Sequence, residues 1–155
     1  MRYNEVEVLL VEDNPHEAQL ALRMLKKYNL GHRLLHIDEG IDALDFVFAR
    51  GKYAERAGSS NLRVIFLDLK LPRIDGLEIL RQIKGNERTR YIPVVVFTSS
   101  KEESDVAAAY KLGANSYIVK PVDFETFSTT ITALGNFWLH VNLPCHTIPE
   151  KNTGH

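Results

Sequence analysis

Five positions in this chain combine side-chain types that could handle a phosphoryl group. Glu12 and Asp13 directly follow the mostly apolar stretch 6–11, Asp68 follows 64–67, Thr98 follows 93–97, and Lys120 follows 116–119. If those runs lie side by side, three carboxylates meet at one edge. Two like charges about 4 Å apart repel by about 4 kcal/mol at an effective dielectric near 20. A fold tolerates such a cluster when a cation or a proton resolves the repulsion. Hard oxygen ligands around a small cation describe a magnesium site, in which several waters stay bound. An aspartate beside that metal can attack phosphorus as a nucleophile. Asp68 ends a central run and is the best placed to do so. Lys120 supplies a point charge for one phosphoryl oxygen, and the Thr98 hydroxyl supplies a hydrogen bond to another.

The elements that must position these residues read clearly. Short apolar runs alternate with amphipathic stretches. The expected strands are 6–11, 33–37, 64–67, 93–97 and 116–119. The expected helices start at Pro15 behind an Asn14 cap, at Ile41, near Leu77, near Val106, and behind an Asp123 cap. Their ends are expected near Tyr28 with Gly31 as the stop, near Arg50, at Gly85, at Gly113 and near His140. The polar stretch 51–62 reads as a surface loop. Five strands alternating with five helices imply an α/β domain, a doubly wound parallel sheet covered on both faces. Ligand sites of such sheets lie outside the carboxyl ends of the strands, and that is where the five residues stand.

Composition limits the alternatives. The chain has 155 residues, 45% hydrophobic and 25% charged, which is enough for one domain with its own core. A formal net charge of −1 gives no global attraction to nucleic acid or to an anionic membrane. The longest apolar runs are four or five residues against the roughly 20 that span a bilayer. The N-terminus lacks the apolar segment of an export signal. The one cysteine, Cys145, cannot form an internal disulfide, which fits a reducing, cytoplasmic setting. Six histidines show no common ligand spacing, so no transition-metal site is expected.

The four motifs together resemble the receiver domains of two-component response regulators. The resemblance spans residues 6–139. It rests on Glu12-Asp13, on the segment Asp68-Leu69-Lys70-Leu71-Pro72-Arg73-Ile74-Asp75-Gly76, on Thr98-Ser99 and on Lys120-Pro121, separated by intervals of 30 and 22 residues. It implies a flavodoxin-like receiver fold with strand order 2-1-3-4-5, over a domain 1–143 followed by a polar tail 144–155. It implies that Asp68 accepts a phosphoryl group from a sensor histidine kinase, with Lys120 and Thr98 assisting. It further implies that Mg2+ is held by Asp13, Asp68 and the carbonyl of Lys70, with Glu12 acting mainly from behind. Thr98 and Tyr117 would form the switch that passes phosphorylation to the surface. Such a protein is a phosphoacceptor that assists its own phosphorylation and dephosphorylation rather than an enzyme acting on other molecules. Lys70 and Ser100, two residues beyond Asp68 and Thr98, are placed to gate water.

The stretch 51–62 and the ending 136–144 look like the single-domain regulators of cyanobacterial phytochromes. That narrower likeness implies a phytochrome-type kinase and a homodimer. Phe124, Phe127, Ile131, Leu134, Trp138 and Val141 fall on one helical stripe expected to pack on the sheet. Phe137 lies off that stripe as a candidate contact with a partner. No output domain follows residue 140, so output is expected through a partner protein, without nucleic acid or membrane. A phosphatase of the haloacid dehalogenase type would need an acid where Lys70 stands. A flavodoxin-like mononucleotide binder would need a hydroxyl- and glycine-rich loop where Glu12-Asp13-Asn14-Pro15-His16 stands. A receiver-like scaffold that is never phosphorylated keeps the fold and loses the chemistry.

Overall fold

A computed structural model describes residues 2–27, 33–58 and 61–145. Five strands, β1 (Val8–Val11), β2 (Leu34–Ile37), β3 (Val64–Leu67), β4 (Val94–Thr98) and β5 (Ser116–Val119), form one parallel sheet in the order β2-β1-β3-β4-β5. Between and after them run α1 (Pro15–Lys27), α2 (Gly40–Val47), α3 (Gly76–Lys84), α4 (Glu103–Leu112) and α5 (Phe124–Asn136). The order and the doubly wound class agree with the expectation above. β1, β3 and β4 are buried at every residue, which explains their uninterrupted apolar sequences. β5 is half-buried throughout, as suits an edge strand.

Alternation along the strands divides the core in two. Leu9, Val11, Ile65, Leu67, Val94 and Val96 face α2, α3 and Ala109 of α4. Val8, Leu10, Val64, Phe66, Val95 and Phe97 face Ala18, Ala21, Met24 and Leu25 of α1 and Phe127 and Ile131 of α5. Register then aligns the carboxyl ends. Val11 pairs with Leu67, Leu67 with Val96, and Thr98 with Val119. The next amides continue the ladder: Glu12 N–H donates to Ile37, Asp68 N–H to Val11 and Lys120 N–H to Thr98. Glu12, Asp68, Thr98 and Lys120 therefore stand along one edge because parallel pairing leaves them nowhere else.

Helix ends follow local chemistry. Asn14 Oδ1 accepts from the amides of His16 and Glu17 to cap α1, and Asp123 accepts from Thr126 N–H to cap α5. α4 ends at Gly113, whose φ of +106° favours glycine. Gly76 serves a different need. A Cβ there would come within 2.4 Å of the Asp68 carbonyl oxygen and 2.5 Å of Leu69 Cα, so the start of α3 can close on the loop after β3 only without a side chain.

The structure corrects several boundaries. β1 starts at Val8 rather than Val6, β2 at Leu34 and β4 at Val94. α2 stops at Val47, because Ala49 and Gly51 take positive φ and turn the chain away. The expected stop of α1 near Gly31 lies outside the described residues. The stretch after residue 50 is not a plain surface loop. Gly51–Arg56 is a short 3-10 helix whose Tyr53 and Arg56 are buried. Tyr53 meets Tyr3 and Phe46 edge-on, at 4.8 and 5.2 Å between centroids, and its hydroxyl donates to Asp42. Arg56 lies over the Phe46 ring and donates to the Phe46 carbonyl. The long last helix loosens after Asn136 into a wider π-type turn, Phe137–Val141. Its apolar stripe is buried only in the middle: Phe127, Ile131 and Trp138 are covered, while Phe124 and Val141 are 61% and 63% exposed. Phe137, 45% exposed, lies outward as expected.

Candidate functional site

Lys120 is the centre of the site. Its ammonium donates to Glu12 Oε1 at 2.5 Å, Glu17 Oε2 at 2.7 Å and Asp68 Oδ2 at 2.9 Å. Glu12, Asp68, Thr98 and Lys120 are all buried, whereas Asp13 is exposed at the rim. Carboxylate oxygens of Glu12, Asp13 and Asp68 lie within 4.8 Å of one another. Four carboxylates thus gather around a single ammonium, which leaves an excess of negative charge at a partly dehydrated edge. A set of oxygen-only ligands with uncompensated charge suits a hard divalent cation better than a soft one.

Electrostatics follow from burial and contact. Burial pushes the Glu12 carboxyl up to about 7, against the opposing pull of the Lys120 hydrogen bond and the Asn14 amide. Burial acts the other way on Lys120, but the bonds to Glu12, Glu17 and Asp68 outweigh it and hold the ammonium above the ordinary lysine range. The remaining Glu12 oxygen accepts from Asn14 N–H at 3.0 Å, and the Glu12 carbonyl accepts from His36 Nε2 at 2.7 Å. The other Asp68 oxygen accepts from Lys70 N–H at 3.2 Å. Each buried carboxylate is thereby fixed by backbone as well as by lysine.

The remaining candidates sit around this cluster. The Lys70 side chain is exposed, and only its amide touches Asp68. Thr98 is fully buried at the end of β4, and Ser100 N–H lies 3.5 Å from its hydroxyl. Tyr117 does not reach the carboxylates. Its hydroxyl donates to the Ser100 carbonyl at 3.0 Å, and burial raises its phenol above the ordinary range. The loop between them is pinned a second time, by Ser100 Oγ donating to Asp105 Oδ2 of α4 at 2.5 Å. Sequence reasoning missed two members: Asp105, and Glu17 on the first turn of α1. Glu17 stands four residues after Asp13, so the helical period that carries α1 inward is the signal that could have found it.

Comparison with known proteins places this geometry. The sequence pattern of the response regulator receiver domain matches residues 8–132. The probable methanogenesis regulatory protein FilR2 of Methanothrix harundinacea is 40% identical over 135 residues, which cover 87% of this chain and 84% of FilR2. Response regulator Rcp1 of Synechocystis sp. is 38% identical over 138 residues, 88% of this chain and 92% of Rcp1. The crystal structure of the Mn2+-bound form of Rcp1 aligns at a TM-score of 0.83 and 34% identity, over 90% of this chain and 99% of that one. The phosphorylated cyanobacterial phytochrome response regulator RcpA aligns equally well, at a TM-score of 0.83 and 31% identity, over 90% and 98% of the two chains.

Proposed function

Because this chain belongs to the response regulator receiver family, we propose that it takes a phosphoryl group from a sensor histidine kinase onto Asp68. The observation that carries this reading is the buried ion pair of Lys120 with Asp68 at the carboxyl edge of the sheet, inside a cluster of oxygen ligands. Asp13, Asp68 and the Lys70 carbonyl would hold Mg2+, with Glu12 supporting the site from behind, and the bound ion would neutralise charge on the transferring oxygens. The protein's own residues do the rest. An Asp68 carboxylate oxygen bonds to phosphorus as the bond from phosphorus to the kinase imidazole nitrogen breaks, and the imidazole keeps that electron pair. Lys120 and the Thr98 hydroxyl hold two of the phosphoryl oxygens. The same residues assist loss of the group to water. Thr98 then passes the change to the loop that Tyr117 and Asp105 pin, and so to α4 and β5.

The relatives support a phytochrome-type kinase as donor, and the exposed Phe137 and the α5 extension support a homodimer. The receiver unit is taken as residues 1–143, with 144–155 as a tail, because the turn after α5 still buries Trp138. Among the described residues no helix is long and apolar enough to cross a membrane, which fits a cytoplasmic protein. The acid pair after β1 disfavours a phosphate loop of the flavodoxin type. The test is intact mass after incubation with acetyl phosphate and Mg2+. One phosphoryl group should be gained by the native chain and none by Asp68→Asn. A native chain left unmodified where another receiver is modified would overturn the reading.

A further inference from the structure

We infer that Glu17 is a competitor of the phosphoryl group for Lys120, a positioning residue that must let go before Lys120 can bind phosphate. The inference rests on the proposed role of Asp68 and Lys120 and concerns a residue outside the motifs that suggested that role.

Three observations carry it. First, Lys120 has three carboxylate partners, and an ammonium has three donor hydrogens, so Glu12, Glu17 and Asp68 use its full capacity. While Asp68 is still a carboxylate, before transfer, an oxygen of the docking phosphoryl donor can reach this ammonium only if one partner leaves. Second, the partners differ in their freedom to leave. The Glu12 and Asp68 side chains are 4% and 8% exposed and are also held by backbone amides, while Glu17 is 35% exposed and can turn to water. Third, Glu17 has been diverted from a local role. It stands three residues after the Asn14 cap, where a glutamate ordinarily bonds back to the amide of the capping residue. Here Glu12 Oε2 accepts from that Asn14 amide, and the Glu17 carboxylate reaches Lys120 instead.

The consequence is a substitution reaction at one ammonium. As phosphorus passes to Asp68 from its donor atom, the imidazole nitrogen of a kinase or an oxygen of acetyl phosphate, the donor leaves with the electron pair of the broken bond, and one Lys120 N–H turns from Glu17 to a phosphoryl oxygen. No proton changes owner. Removing the competitor makes Lys120 available to the donor. An ion pair whose carboxylate is partly exposed contributes up to about fivefold in an equilibrium.

The experiment uses the full chain with Mg2+ and acetyl phosphate, in native, Glu17→Gln and Glu17→Asp forms. Glu17→Asp keeps the charge but shortens the reach to Lys120. Glu102→Gln, an exposed acid in the loop before α4, controls for net charge. Both Glu17 variants should half-saturate at up to about fivefold lower acetyl phosphate with a nearly unchanged maximal rate. Glu102→Gln should match the native chain. Unchanged half-saturation in both Glu17 variants, slower phosphorylation, or an effect in Glu17→Gln without one in Glu17→Asp would each overturn the inference. A native chain that takes no phosphoryl group overturns the proposed function instead. The competition is then read from inorganic phosphate with Mg2+, which should raise the Tm of Glu17→Gln at lower concentration than that of the native chain. Equal phosphate responses would overturn it.

Discussion

Replacing Lys120 by methionine removes the charge and keeps most of the side-chain volume. In the native chain three ion pairs of 2.5 to 2.9 Å converge on this ammonium, and two of the carboxylates are more than nine-tenths buried. Removing one partner of a buried pair costs about 3–5 kcal/mol, because the other charge is left without compensation. Glu12 limits the loss, since its carboxyl already sits near 7 and can take up a proton. The sign follows from linkage. A carboxyl held above its unfolded value binds more protons in the folded state between about 4.5 and 7, so stability falls as pH rises through that window. Without the lysine this dependence should steepen and extend upward. The expected loss is about 3 kcal/mol at pH 8 and clearly less at pH 6, or about 6–12 °C in Tm at the higher pH for a chain of this size. The assay is urea unfolding in EDTA at the two pH values, analysed as two-state. Mg2+ should then stabilise the variant more than the native chain, because it meets the same carboxylates without a competing cation. A loss below about 1 kcal/mol at pH 8, or a smaller Mg2+ response in the variant, would refute this picture of the charge balance.

Gly76→Ala should destabilise by about 1–3 kcal/mol or more, since the new methyl meets backbone atoms of Asp68 and Leu69. It should also slow phosphorylation by shifting the Asp68 backbone, which acetyl phosphate kinetics at a temperature well below the variant's Tm can check. Asp123→Ala removes the cap of α5. The Asp123 carboxyl is held below its ordinary range by Thr126, so its contribution is fully present at neutral pH and declines only as pH falls below about 4 toward the depressed folded value. Thermal melts should show a lower Tm for the variant at pH 7 and a smaller gap at pH 3.

Much of the fold, and the gathering of candidate residues at its carboxyl edge, was legible in sequence because the signals were local. Runs such as Val94-Val95-Val96-Phe97 mark buried parallel strands, and Asp68, Thr98 and Lys120 were findable because each directly follows such a run. The register supplied the remainder, since it aligns Val11, Leu67 and Thr98 with the strands beside them. What escaped depends on contacts distant in sequence. The stretch 51–62 looked polar, yet Tyr53 finds Tyr3 across the chain and Arg56 settles on Phe46. Glu17 looked like an ordinary residue of a helix start, and only the approach of Lys120, 103 residues away, gives it another partner. Phe124 and Val141 fitted the periodic stripe, but the stripe extends beyond the sheet face that could cover it.

Transfer from a histidine kinase is the direct test of Asp68 as the phosphoacceptor. A panel of purified kinases, phytochrome-type members included, is labelled with radioactive phosphate and mixed with the native chain or Asp68→Asn in Mg2+. The label should pass to the native chain from at least one kinase, should be absent from Asp68→Asn, and should be lost from the native reaction when EDTA is added first. Equal labelling of Asp68→Asn would place the acceptor elsewhere, and transfer that proceeds unchanged in EDTA would contradict a role for Mg2+ at this site.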